Sequence, residues 1–237
     1  MVMPIYDHSP FKWPTPPYVT WILIGINVLV FVIQANNPDE MQQFDQVVGL
    51  IPAAFTGRLS GVSLPTPLPL FTYMFLHANV LHILGNMVFL FVFGDDIEEG
   101  IGHGRFLIFY LACGLGAGIA YVLSDPSSKI DLIGASGAVA GVIAAYLIFR
   151  PCSKVTVLVG VVPLRLRSFW VIGGWAIWQV VEVASRSQDG IAYWAHVGGL
   201  ITGAVLFVLM RPAGVRLFEC VQPEDPVALG SAAKPPS

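Results

Sequence analysis

Six apolar segments recur along the chain at near-regular spacing, at about Val19–Ile33, Val80–Phe93, Phe106–Leu123, Leu132–Phe149, Phe169–Ala184 and Tyr193–Met210. A helix that crosses a bilayer needs about 20 mostly apolar residues, within a range of about 17–25. A soluble core helix keeps a polar face at helical spacing. Turns such as "MVFLFVF" and "FLIFYLACG" have none. Composition agrees: 55% of the residues are hydrophobic and 11% charged, where a soluble domain carries about 25% charge. The expected fold is an all-α, six-helix membrane bundle.

Lysine and arginine in the loops orient such a bundle. With the N-terminus inside, nine basic residues (Lys12, Arg105, Arg150, Lys154, Arg165, Arg167, Arg211, Arg216 and Lys234) lie on the cytoplasmic side and three (Arg58, Lys129, Arg186) outside. Both termini are therefore expected in the cytoplasm. Residues 1–17 read as a short proline-rich leader, 18–211 as the membrane core and 212–237 as a disordered tail. No cleavable signal peptide is visible. The loop of residues 34–79 is apolar but broken by prolines, and suits the membrane interface. The stretch "VTVLVGVVPLRLR" is too short to span and reads as a surface-lying loop. Cys113, Cys152 and Cys220 show no pairing or ligand spacing, so neither a disulfide nor a metal site is expected. A net charge of −3 gives no footprint for nucleic acid. No cofactor is expected, and nothing sets an oligomeric state.

Segments two, four and six run in the same direction, and each carries polar residues near its beginning. They are His82 and Asn86 in "HANVLHILGNM", Ser136 in "GASGAVAG" and His196 in "AYWAHVGGLITGAV". At ~1.5 Å per residue, each lies roughly 5–10 Å below the same membrane face. Polar groups inside a bilayer are costly and mark functional sites. Gly137 and Gly141 form one G-x-x-x-G pair, Gly199 and Gly203 another, and this spacing lets helix backbones approach closely. With Gly134 they clear the space around Ser136. Close packing of segments four and six would bring His196 beside Ser136. A serine becomes nucleophilic when a base takes its proton, and burial favours the neutral, proton-accepting imidazole. Asn86 and His82, on one face of segment two, are candidate donors to an oxyanion. No carboxylate is placed to complete a triad, since the location of Asp131 is unconstrained. Gln179 and Glu182 fall at the cytoplasmic end of segment five or face the bundle, with no identified partner.

In "FTYMFLHANVLHILGNMVFLFVFG", "GASGAVAG" and "AHVGGLITG" the sequence resembles the rhomboid family of intramembrane serine proteases, over about residues 18–211. The resemblance implies a bacterial six-helix form, a multi-pass protein of the bacterial inner membrane. It implies Ser136 as nucleophile, His196 as general base, and Asn86 with His82 as the oxyanion-stabilising pair. His77 and Glu98 match residues with structural roles. The implied partners are the bilayer and transmembrane protein substrates, cut near the outer face. Two positions depart from the family pattern. Leu68 and Pro69 stand where many members have Trp-Arg, and Ala140 stands where some have an aromatic residue against the histidine. The alternatives are a catalytically silent relative that binds membrane proteins, and a small transporter. A silent relative would be expected to lack the serine or the histidine, and a transporter to show paired broken repeats. A zinc protease of the H-E-x-x-H kind is excluded by the absence of that motif.

Overall fold

A computed structural model of the chain describes residues 2–8, 16–37, 48–59, 67–185, 190–218 and 220. Six long helices follow the six apolar segments: α1 (Tyr18–Asn36), α2 (Val80–Ile101), α3 (His103–Ser124), α4 (Ser136–Phe149), α5 (Ser168–Ser185) and α6 (Tyr193–Met210). Four of them, α1, α2, α3 and α6, are long and apolar enough to cross a membrane. The apolar helix α4 has only 14 residues. The chain is a multi-pass membrane protein.

Several buried charged residues on these helices are paired across the bundle. Glu98 is fully buried in α2. Its carboxylate accepts the backbone N–H groups of Val19 and Thr20 at 2.8 and 2.7 Å, and the Thr20 hydroxyl at 2.7 Å. The first N–H groups of a helix have no partner within it, and negative charge is favoured at that end. Glu98 thus caps α1 from a distance of 78 residues in sequence, and His103 closes on its other flank. Asp96 meets the Arg150 guanidinium at 2.8 Å. These pairings carry α2 to Ile101, through the acidic run that follows Phe93.

The bundle is not purely helical. Strand β1 (Val2–Asp7) lies in the expected leader, and β2 (Lys154–Val159) and β3 (Val162–Arg167) lie in the expected surface loop. They form an antiparallel sheet in the order β1-β2-β3, with Lys154 opposite Arg167, Val157 opposite Leu164 and Val2 opposite Val159. Val155 and Val157 are fully buried, and β1 packs on α2. The all-α expectation is corrected here. The alternating valines and the Gly160 turn (φ +64°) are hairpin signals. Strand β1 forms only against a partner more than 140 residues away.

Asp7, at the end of β1, accepts the Tyr146 hydroxyl at 3.1 Å. Burial, with the neighbouring carboxylates of Asp96 and Asp95, pushes its carboxyl up to about 9. The folded state therefore holds a proton that the unfolded strand releases near its ordinary value of 3.8. Docking of β1 is fully favoured below pH ~4 and weakens progressively as pH rises toward 9. Hydrogen exchange of the β1 amides should show this loss of protection, and Asp7→Asn should markedly reduce the pH dependence. A pH-independent wild-type strand would refute it.

Two further expectations are corrected. Cys152 and Cys220 form a disulfide across 68 residues of sequence, so the expectation of none fails. The turn after α4 and the chain after α6 end on one face, which no local spacing announces. Cys113 is free and buried. The tail begins in an ordered way, with the Phe218 N–H donating to the Ile148 carbonyl at 2.7 Å. Residues 221–237 lie outside the described part. In the first loop, Leu70, Tyr73, Met74 and Leu76 are buried in the bundle rather than laid on its surface. The Tyr73 hydroxyl donates to the Gly114 carbonyl at 2.7 Å.

Candidate active site

Helix α4 begins at Ser136 rather than at Leu132. Leu132 is held by a bridge to Leu50, and Gly134 takes φ +118°, a conformation that L side chains rarely adopt. The helix therefore starts abruptly below its loop, with Ser136 in its first turn. The leading N–H groups of a helix have no acceptor within it and are available to an anion.

The His196 Nε2 lies 2.8 Å from the Ser136 Oγ. The contact between α4 and α6 that permits this is backbone on backbone. A Cβ on Gly199 would lie 2.0 Å from the Gly137 carbonyl oxygen, and one on Gly203 would lie 2.2 Å from that of Gly141. On the side of α3, a Cβ on Gly137 would meet that of Ala117 at 2.5 Å, and one on Gly141 would meet the Cys113 sulfur at 2.4 Å. All four glycines of the two G-x-x-x-G pairs lie in the crossing.

Helix α2 supplies the remaining polar groups. Asn79 caps it, accepting the His82 N–H at 2.9 Å, as an N-cap asparagine does. His82 and Asn86 both face the turn before Ser136. A Cβ on Gly134 would lie 2.6 Å from the His82 Nε2 and 3.7 Å from the Asn86 Nδ2. Among the described residues, the buried Asn86 Nδ2 has no acceptor. A buried donor without a partner is costly in a resting protein and is suited to a charge that appears during reaction. His77 lies against His82, the rings edge to face at 5.1 Å, and its backbone N–H donates to the Gln34 side-chain oxygen at 3.1 Å.

Gln179 faces the bundle, one of the two placements the sequence left open, and the partner that the sequence did not name is His196. Gln179 is buried, and its Oε1 lies 2.7 Å from the His196 Nδ1. It therefore stands at the level of Ser136, toward the C-terminal end of α5. Trp175, one turn earlier, sets its ring 5.8 Å from that of His196. An intramembrane glutamine on a helix bearing no other candidate was the available signal. Glu182 accepts the Trp178 indole N–H at 2.6 Å, away from the site. Among the described residues no cluster of three metal-ligating side chains occurs.

A polytopic helical protein that sets a serine against a histidine on neighbouring helices has the layout of a membrane-embedded hydrolase. The Rhomboid domain family matches residues 66–213, and the chain belongs to the rhomboid family. It is 33% identical to RHOMBOID-like protein 5 of Arabidopsis thaliana, with 85% of this chain and 72% of that protein covered. It is 28% identical to Rhomboid protease AarA of Providencia stuartii (57% and 53% covered) and 27% to Rhomboid protease GlpG of Salmonella choleraesuis (58% and 47%). Across several of the curated relatives the matched region spans about half of the relative's length or less. Relatives carry mitochondrial, chloroplastic and bacterial designations, so they do not single out one membrane.

Proposed function

We propose that the chain is an intramembrane serine endopeptidase that cuts transmembrane segments of membrane proteins near the outer membrane face. The observation that carries this reading is the 2.8 Å contact between Ser136 Oγ and His196 Nε2. As Oγ attacks the scissile carbonyl carbon, its proton passes to Nε2, and the carbonyl π pair moves onto oxygen. The Asn86 amide, the His82 ring and the first backbone N–H groups of α4 surround the place where that oxyanion forms. Its collapse expels the amine, which takes the proton from His196. Water, deprotonated by the same histidine, then releases the acyl group. A substrate helix offers no free carbonyl while its backbone is hydrogen-bonded. It must unwind locally, which favours Gly, Pro or other helix-weakening residues near the cut.

The same reading has six membrane passes with both termini cytoplasmic, on the strength of nine basic residues against three. It is tested by co-reconstituting the protein with a model transmembrane substrate and mapping the product masses. The expected cut lies within the outer third of the bilayer and is blocked by a fluorophosphonate. A substrate left intact, or a cut that the inhibitor does not affect, would sink it.

A further inference from the structure

We infer that Gln179 is a positioning residue that fixes His196 as a proton acceptor toward Ser136. The inference rests on the serine–histidine reading above and assigns the other side of the histidine ring. A neutral imidazole carries one N–H, and which nitrogen bears it depends on the partners of both. At 2.7 Å from Nδ1, the Gln179 Oε1 can only accept. The proton is therefore held on Nδ1, and the lone pair on Nε2 faces the Ser136 hydroxyl, 2.8 Å away. Without that acceptor both tautomers are open, and the ring is free to turn about its χ2.

Helix α5 supplies the orienting groups as a pair. Trp175 and Gln179 are four residues apart and so share a face. Gln179 holds the ring by its edge, and Trp175 lies at its flank, tilted by 39°. Ala140, one turn along α4 from Ser136, is too short to serve that purpose. Gln179 is also one of only three buried residues on α5, with Ser168 and Ile172. Ser168 is spent on the start of the helix, where its hydroxyl donates to the Arg150 and Pro151 carbonyls at 2.6 and 2.8 Å. An amide in this role keeps the site uncharged, where a buried carboxylate would cost more to desolvate. The titratable side chains that bear on the ring are His82 from α2 and Tyr193 from α6 itself.

The test uses the full chain in detergent and measures the rate at which a fluorophosphonate labels Ser136, across pH, with Tm alongside. Gln179→Met keeps the side-chain length and removes the acceptor. Labelling should fall roughly ten- to hundredfold, part of the ~10²–10⁴ that general acid–base catalysis supplies. Gln179→Glu can only accept, and should stay within about threefold of wild type at alkaline pH. Its added charge stabilises the imidazolium, so its acidic limb should move up by roughly one to three pH units. Ile172→Ala, buried on the same helix, should lower Tm and leave labelling per folded molecule and its pH profile unchanged. A stable Gln179→Met protein labelled at the wild-type rate would overturn the inference. So would a Gln179→Glu protein that is slow with an unmoved pH profile, and this second variant decides even if the first does not fold. A wild-type chain that the probe does not label would remove the serine–histidine pair itself, and Gln179's role with it.

Discussion

Ser136→Ala is expected to abolish cleavage of a reconstituted substrate, and His196→Ala to lower it by on the order of 10⁴ or more. In serine hydrolases the nucleophile and its base act as a unit, so losing either forfeits nearly all of their joint contribution. On the proposed reading, the 2.8 Å contact is that relation in this chain. Both side chains are only half-buried, and the α4–α6 crossing is held by glycine backbone contacts rather than by their hydrogen bonds, so both variants should remain folded. Asn86→Ala should lie between these and wild type, at roughly ten- to hundredfold in kcat, because the His82 ring and the α4 backbone share the oxyanion. The measurements are kcat on the model substrate, labelling by a fluorophosphonate, and melting temperature. Labelling of Ser136 that survives His196→Ala unchanged would show that the histidine is not its base.

The second large effect is expected from a single methyl group on a residue that takes no part in the chemistry. In Gly199→Ala the new Cβ would stand 2.0 Å from the Gly137 carbonyl oxygen, well inside the 3.0 Å limit that real Cβ atoms respect. The obstacle is backbone and cannot rotate away, so α4 and α6 must part by about 1 Å. The serine and the histidine sit on those two helices, and a shift of that size costs about 10² in rate. Overpacking of this kind also destabilises by about 1–3 kcal/mol. Gly173→Ala is the control: its Cβ would meet nothing within 4 Å, and a helical glycine in open space gains about 0.5–1 kcal/mol on replacement by alanine. If Gly199→Ala keeps wild-type kcat and melting temperature, the crossing is looser than its geometry implies.

The sequence carried the helices well and their partners poorly. Helix α6 begins and ends where its apolar run does, at Tyr193 and Met210. Helix α2 runs on past Phe93 because Asp96 and Glu98 find Arg150 and the start of α1, and such pairings leave no local trace. Helix α4 starts four residues later than its hydropathy suggests, because Gly134 turns the chain there. Of the site, Ser136, His196, His82 and Asn86 stood out as polar residues at one depth on parallel segments. Gln179 did not, since α5 runs the opposite way and depth from its own start is no guide. The β2–β3 hairpin did leave a local signal, but β1 did not, because it is a strand only by virtue of β2, at the other side of the chain.

The brevity of α4 makes the site a gauge of length. Fourteen residues span about 21 Å, against a hydrocarbon thickness of about 30 Å, which leaves about 9 Å unaccounted for. On the proposed reading that shortfall is the depth at which Ser136 waits, and it is set by where Gly134 ends the loop. A substrate would then be measured before it is read, since only a bond lying about that far below the surface can meet the serine. Changing the thickness of the bilayer should move the cut along the substrate, with no change to any residue that touches it.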